Sequence, residues 1–337
     1  MHDQDDIQIQ LKLPGKTIRL PRQGGLTLKK DTSAILPFYL NLDGLLVSYA
    51  TTQLFTRIGR DYFFFALSGV MSEYCLDPET FTSLQVENGQ IVAEGGQTYV
   101  TVQPGSACVI TAILPDGGQV RLITLTRQQA GNCSKQVLWG QERLLMSDAP
   151  FMIKDDRLQV FCREQKAALS IFPADGSRLA AGNGIYSGSV DGIFMRYELE
   201  FSQTQAQLNI NRIDPARWAV SLPPETFKNA GEIFLRVEYL GDSGEAYIGG
   251  KLVSDNFYNG TPWEIGLKRF ASRLADHELL LLIQPLKRAS SVTRYIPTGM
   301  AFKPEADAEE LAEIKSVSVT VEQRISLKPE GWSSPVL

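Results

Sequence analysis

Apolar and polar residues alternate with a period of two through most of this chain. That is the pattern of strands with one buried and one solvated face. The first half gives "IQIQLKL" (7–13), "GKTIRLP" (15–21), "GGLTLKK" (24–30), "AILPFYLNL" (34–42), "LLVSYATTQLFTRI" (45–58), "DYFFFAL" (61–67), "TSLQVEN" (82–88), "QIVAEGG" (90–96), "TYVTVQP" (98–104), "CVITAIL" (108–114) and "QVRLITLT" (119–126). Between them stand "LDG" at 42–44, "ENGQ" at 87–90, "PGS" at 104–106 and "PDGGQ" at 115–119. Asn-Gly and Asp-Gly are the residues of two-residue hairpin turns. Short strands punctuated this often predict an all-β sandwich or barrel.

The alternation weakens over 126–150, which reads as a short helix followed by a connecting strand, and a domain boundary is expected there. The division is a β-sandwich over 1–135 and a second antiparallel sandwich over 136–337. In the second half, 157–164 and 167–174 are expected to pair as one hairpin, and 192–202 and 205–213 as another. Strands follow at 232–241, 244–256, 262–267, 277–287 and 314–328. "PPETFKNAG" (223–231) predicts a loop with a turn of helix, and "KPEADAEELAEI" (303–314) is the best helix candidate.

Composition narrows the function classes. The 337 residues are 43% apolar, enough for a sizeable core, and carry a net charge of -5. An acidic balance argues against nucleic acid as a partner. No stretch reaches the roughly 20 apolar residues of a membrane helix. "YFFFALSGVM" (62–71), the strongest apolar run, reads as a buried strand. The start, "MHDQDDIQIQLKL", lacks the basic and apolar regions of a signal peptide. Location stays open between the cytoplasm and secretion after processing. Cys75, Cys108, Cys133 and Cys162 are too widely spaced for a zinc motif and read as buried free thiols.

Candidate chemistry is sparse. Two histidines, His2 and His277, offer no triad and no metal pair. No Gly-rich phosphate loop is present, and no cofactor, metal or catalytic residue is expected. Glycoside hydrolysis needs only two carboxylates roughly 5 to 9 Å apart, for which Glu238, Asp242, Glu245, Asp255 and Glu264 are candidates. As turn and strand-face residues they have a structural explanation too. "DNFYNGTPWEIGL" (255–267) gathers aromatic rings, amides and a carboxylate around one Asn-Gly turn. Rings cover the apolar face of a pyranose, and planar amides or carboxylates take its hydroxyls. Tyr258, Asn259, Trp263 and Glu264 are therefore the candidate carbohydrate-binding residues. Core packing around Trp263 is the competing reading. "GIYSGSVDG" (184–192) and the Trp139 region carry a similar inventory.

Some of these segments resemble a known family. "ILPFYLNLDGLLVSYATTQLFTRI", "DYFFFALSGVMSEYCLD", "VRLITLTRQQA" and "LWGQERLLMSDAP" are similar, in order, to the β-domains that follow the catalytic barrel in bacterial β-galactosidases of glycoside hydrolase family 35. "IFLRVEYLGDSGEAYIGGKLVSDNFYNGTPWEIGLKRF" and "LLLLIQPLK" resemble the galactose-binding-like jelly roll near the end of those enzymes. The likeness runs from about residue 20 to 290. It implies a jelly roll for 136–337, with Ile248, Leu252, Val253, Ile265 and Leu267 pointing inward and Tyr258 and Trp263 capping one end. The family's catalytic glutamates lie on a (β/α)₈ barrel of about 250 residues. That pattern is not found here, so no catalytic residue carries over. The resemblance implies an accessory, non-catalytic β-sandwich region that supports or extends β-galactoside recognition. As part of a larger enzyme, the chain would belong to a β-galactosidase-like glycoside hydrolase. A carbohydrate ligand and a catalytic glycosidase domain or subunit are the partners it implies. An independent carbohydrate-binding protein and a structural or oligomerisation module are the alternatives. The natural sugar and the oligomeric state stay open.

Overall fold

A computed structural model describes residues 3–13, 16–176, 178–181, 185–201, 206–227, 231–287 and 309–331. The chain is all-β, built from antiparallel sheets that bury apolar faces against one another. The first sandwich has two five-stranded sheets. One runs, in spatial order, Ser83–Glu87, Val109–Ile113, Gln119–Leu125, Asp61–Phe65 and Gln53–Ile58. The other runs Gly89–Glu94, Gln97–Val102, Ser72–Leu76, Leu45–Ala50 and Phe38–Leu42. Only Gln119–Leu125 and Asp61–Phe65 pair in parallel within these two sheets. Val47, Tyr74, Leu76 and Val100 from one sheet meet Phe64, Ile110 and Leu122 from the other. Tyr62, Phe63 and Phe64 are buried, so the apolar run at 62–71 is a core strand over its first half.

Residues 3–13 and 16–28 cover the outer face of the second of these sheets. Leu20 and Leu26 pack on Tyr49 and Cys75. The buried carboxylate of Glu73 accepts hydrogen bonds from the Tyr49 hydroxyl (2.6 Å) and the Arg22 amide (2.9 Å). The polar pair thus fixes the covering segment where the apolar contacts alone would let it slide.

Among the described residues from Cys133 on, two further apolar cores form, a middle and a third, and one strand contributes to both. In the middle one, the sheet Cys133–Leu138, Gln141–Ser147, Lys166–Phe172, Phe194–Glu200, Ile185–Asp191 faces Phe151–Lys154, Arg157–Cys162 and the end of Glu313–Pro329. In the third, the sheet Asn209–Asp214, Arg217–Ser221, Leu279–Gln284, Ser243–Ile248, Lys251–Phe257 faces Trp263–Gly266, Glu232–Leu240 and the start of Glu313–Pro329. That 17-residue strand pairs Leu235 with Val319 in one sandwich and Val160 with Ile325 in the other. Beyond an irregularity near its start, its odd-numbered apolar residues from Val317 on face the two cores, and Val321, Ile325 and Leu327 are buried.

The first and middle sandwiches meet through aromatic rings. Phe63 lies 5.1 Å from Phe172 and 6.4 Å from Phe194 between ring centres, and all three are buried. Beside them, Arg121 donates two hydrogen bonds to Asp61 (2.5 and 2.7 Å).

Several local expectations are corrected. Arg157–Cys162 and Lys166–Phe172 are not a hairpin; they lie in opposite sheets, and residues 163–165 arch over the core between them. Phe194–Glu200 and Asn209–Asp214 likewise belong to different sandwiches. Neither connection carries the Asn-Gly or Asp-Gly chemistry that a tight hairpin needs. Asp43-Gly44 and Asp116-Gly117 do close hairpins. Asn88-Gly89 and Asn259-Gly260 instead pass the chain from one sheet to its partner. Residues 45–58 break at Thr51-Thr52 into two strands of different sheets. Of the helix expected at 303–314, residues 303–308 lie outside the described residues, and Glu310–Leu311 and Glu313 onward are strand. Burial of Ile314 against the third core overrides the local helix preference. The helix at 126–150 is found at Arg127–Gly131, capped by Thr126 and Gln129, and 223–231 contains a 3₁₀ turn at Pro224–Phe227.

Candidate functional site

Two of the four predicted carbohydrate contacts belong to the third core. Tyr258 and Trp263 are 8% and 4% exposed. Both rings meet Tyr239 edge-on, at 5.5 and 6.2 Å between centres. The Tyr239 hydroxyl donates to the Asn256 carbonyl (3.0 Å) and accepts from the Asn256 side-chain amide (2.8 Å). Both rings therefore pack into the third core. Asn259 closes its own turn, its Oδ1 accepting from the amide and hydroxyl of Thr261 (3.0 and 2.6 Å). Glu264 follows Trp263 on a strand, so its side chain leaves by the opposite face. Its carboxylate receives Nη1 of Arg163 at 2.8 and 3.0 Å. The four residues thus do not converge on one surface.

Arg163 stands in the arch of the middle sandwich and ties it to the third. Its guanidinium covers the Phe234 ring at 4.0 Å and comes within 3.8 Å of Glu322. Glu322 lies directly opposite Glu232 across the shared ladder. Burial pushes the Glu322 carboxyl up, Arg163 offsets part of this, and Glu232 adds to it. A carboxyl raised by folding stabilises the fold when protonated, and that contribution is lost as pH rises through its folded value. Glu322→Gln should therefore raise the melting temperature at pH 7.5, and the gain should vanish near pH 4, where the unfolded carboxyl also holds its proton. A lowered melting temperature at pH 7.5 would show that Arg163 outweighs burial.

Of the remaining carboxylate candidates, Glu245 and Asp255 face each other across one ladder, while Glu238 lies on a strand of the opposite sheet. Glu238 pairs with Arg236, and Glu245 accepts from the Tyr247 hydroxyl at 2.5 Å. Among the described residues no group of three His, Cys, Asp or Glu stands where it could hold a metal ion. No helix among them is long and apolar enough to cross a membrane.

A shallow groove lies on the outer face of the sheet that runs, in spatial order, from Asn209–Asp214 to Lys251–Phe257. It has a volume of about 530 Å³ and is lined by Ala219, Tyr247, His277, Glu278, Leu280 and Leu282, among others. The ladder explains the arrangement. Leu280 sits between Ala219 and Tyr247, and Leu282 between Arg217 and Glu245. Their neighbours Leu279, Leu281 and Ile283 fill the core, so the even-numbered leucines point out. The hydrogen bond to Glu245 holds Tyr247 by its hydroxyl and pushes that hydroxyl's pKa up. At the rim, Gly249 adopts a positive φ of 55°, and a Cβ there would stand 3.1 Å from the His277 ring. Glycine lets this hairpin turn close against the imidazole.

Leu252, expected inside, is 53% exposed on this same face. A bulge after Ala246 pairs Tyr247 with Leu252 and leaves Val253 as the extra residue. One inserted residue flips the alternation, so Val253 packs inward and Leu252 turns out. Ile248, Ile265 and Leu267 are buried as expected.

The groove went unread in the sequence because "LLLLI" (279–283) has no alternation and passes for a strand buried on both faces. The available signal was that an antiparallel sheet of this kind leaves one face to solvent, where two leucines would have nothing to cover them. An apolar floor, one tethered aromatic ring and a polar rim of His277 and Glu278 suit a flat ligand with one apolar face and hydroxyls at its edge. Neither a protein-family model nor a curated protein sequence matches the chain.

Proposed function

We propose that the chain is a non-catalytic carbohydrate-recognition region of the kind that accompanies family 35 β-galactosidases. The groove under Tyr247 carries this reading, with the ordered segment likeness behind it. A pyranose laid on the Leu280 and Leu282 floor would place its C–H face against the Tyr247 ring. Its hydroxyls would then reach His277 and Glu278. Within the loop 255–264, Tyr258 and Trp263 hold up the end of the sheet from within, and Asn259 stays exposed.

Titration calorimetry with β-1,4-galactotetraose tests this. Binding is expected, weakened about tenfold or more by Tyr247→Ala, since a stacking ring contributes on the order of 1 kcal/mol or more. The melting temperature should change little, because the ring lies outside the core. No heat at millimolar tetramer with the protein folded, or equal binding by the variant, would count against the reading. Hydrolysis of a nitrophenyl galactoside by the chain alone would refute the non-catalytic part.

A further inference from the structure

We infer that this groove discriminates among sugars by charge, admitting neutral glycan chains and excluding uronates and sulfated sugars. The inference rests on the carbohydrate reading above and adds the class of ligand. Glu245 and Asp255 stand directly opposite each other across the ladder, next on the same face to the pair Tyr247 and Leu252, two residues along one strand and, with the bulge, three along the other. Like charges so placed repel and weaken a sheet. Among the described residues neither carboxylate has an ion-pair partner; Glu245 is held only by the neutral Tyr247 hydroxyl. Glu278 adds a third carboxylate at the rim.

The cations nearby are otherwise engaged. Arg217, on the same row as Leu282 and Glu245, turns to Asp214 at 2.5 Å. Arg273 donates to the Ile248 carbonyl (2.7 Å). Lys251 stands exposed at the start of the edge strand, opposite Ile248. Three carboxylates without ion-pair partners among the described residues, Glu245, Asp255 and Glu278, thus flank a floor that excludes water from one side of any ligand. A hydroxyl can donate to a carboxylate, so neutral sugars gain contacts here. A second carboxylate or a sulfate brings only acceptors and repulsion.

The test compares β-1,4-galactotetraose with the same tetramer oxidised at C6 to the uronate, by calorimetry at pH 8. At about 20 mM ionic strength the neutral chain is expected to bind about tenfold tighter. The ratio should shrink to roughly two- or threefold at 0.5 M salt, where the Debye length falls to a few ångströms. Asp255→Asn with Glu278→Gln should narrow the low-salt ratio in the same direction. A ratio near one at low salt would overturn the inference. A large ratio that ignores both salt and the double substitution would also overturn it, because exclusion would then be steric. Absence of binding by the neutral tetramer itself would remove the carbohydrate reading and this inference with it.

Discussion

Trp263→Ala is expected to cost roughly 3–5 kcal/mol of folding stability, read as a fall in the urea midpoint with an unchanged slope. The size follows from how the ring is enclosed. It is almost wholly buried, meets Tyr239 edge-on, and lies over Gly244 so closely that a Cβ there would stand 2.9 Å away. Gly244 has no side chain to move into the gap, and Tyr239 is held through Asn256. The cavity should therefore persist, and residual cavity is what separates costly from cheap truncations. A loss within about 1 kcal/mol would mean that the sandwich end collapses easily and that the ring is not structural. The distinction bears on function, since lost sugar binding in this variant would report unfolding. Trp263→Phe, which keeps most of the volume, should bind as the natural chain does.

Phe63→Ala should have a comparable effect, on the order of 3–5 kcal/mol, but spread across two sandwiches. Phe63 belongs to a strand of the first sandwich and packs on Phe172 and Phe194 of the middle one. Aromatic pairs in this edge-on geometry add to the area they bury. Hydrogen exchange is the measurement of choice. Amides of Lys166–Phe172 should lose protection together with those of Asp61–Phe65. Loss confined to the first sandwich would show that the aromatic joint couples nothing.

The strand content was legible because alternation is a direct image of a half-buried sheet. Even the long strand reads plainly in "IKSVSVTVEQRISLK". What alternation cannot express is partnership. Nothing in that run says that Val319 and Ile325 serve different cores, and nothing in "REQ" (163–165) says arch instead of hairpin. Turn chemistry was informative at Asp43-Gly44 and misleading at Asn88-Gly89, because the same left-handed preference that suits Asn to a hairpin also suits an arch. The site was less legible still. An aromatic and amide inventory at 255–264 is the same whether the rings face a ligand or a core, and Tyr258 and Trp263 face the core. Leu252 was misplaced by one bulged residue. Tyr247 became a candidate only when the register set it beside Leu280.

Sharing Glu313–Pro329 between two sandwiches also sets an order of assembly during synthesis. The middle sandwich's large sheet ends at Glu200, yet the strand that lines its opposite wall lies more than a hundred residues further on. At 5–20 residues per second, that is a wait of roughly 6–20 s. Throughout it, Leu145, Leu169, Ile171 and Leu199 have only part of their eventual cover. The other strands of the third sandwich are made during this interval, and Glu313–Pro329 then closes both cores together. A ribosome stalled before residue 313 would therefore hold two unfinished sandwiches, each lacking the strand they share.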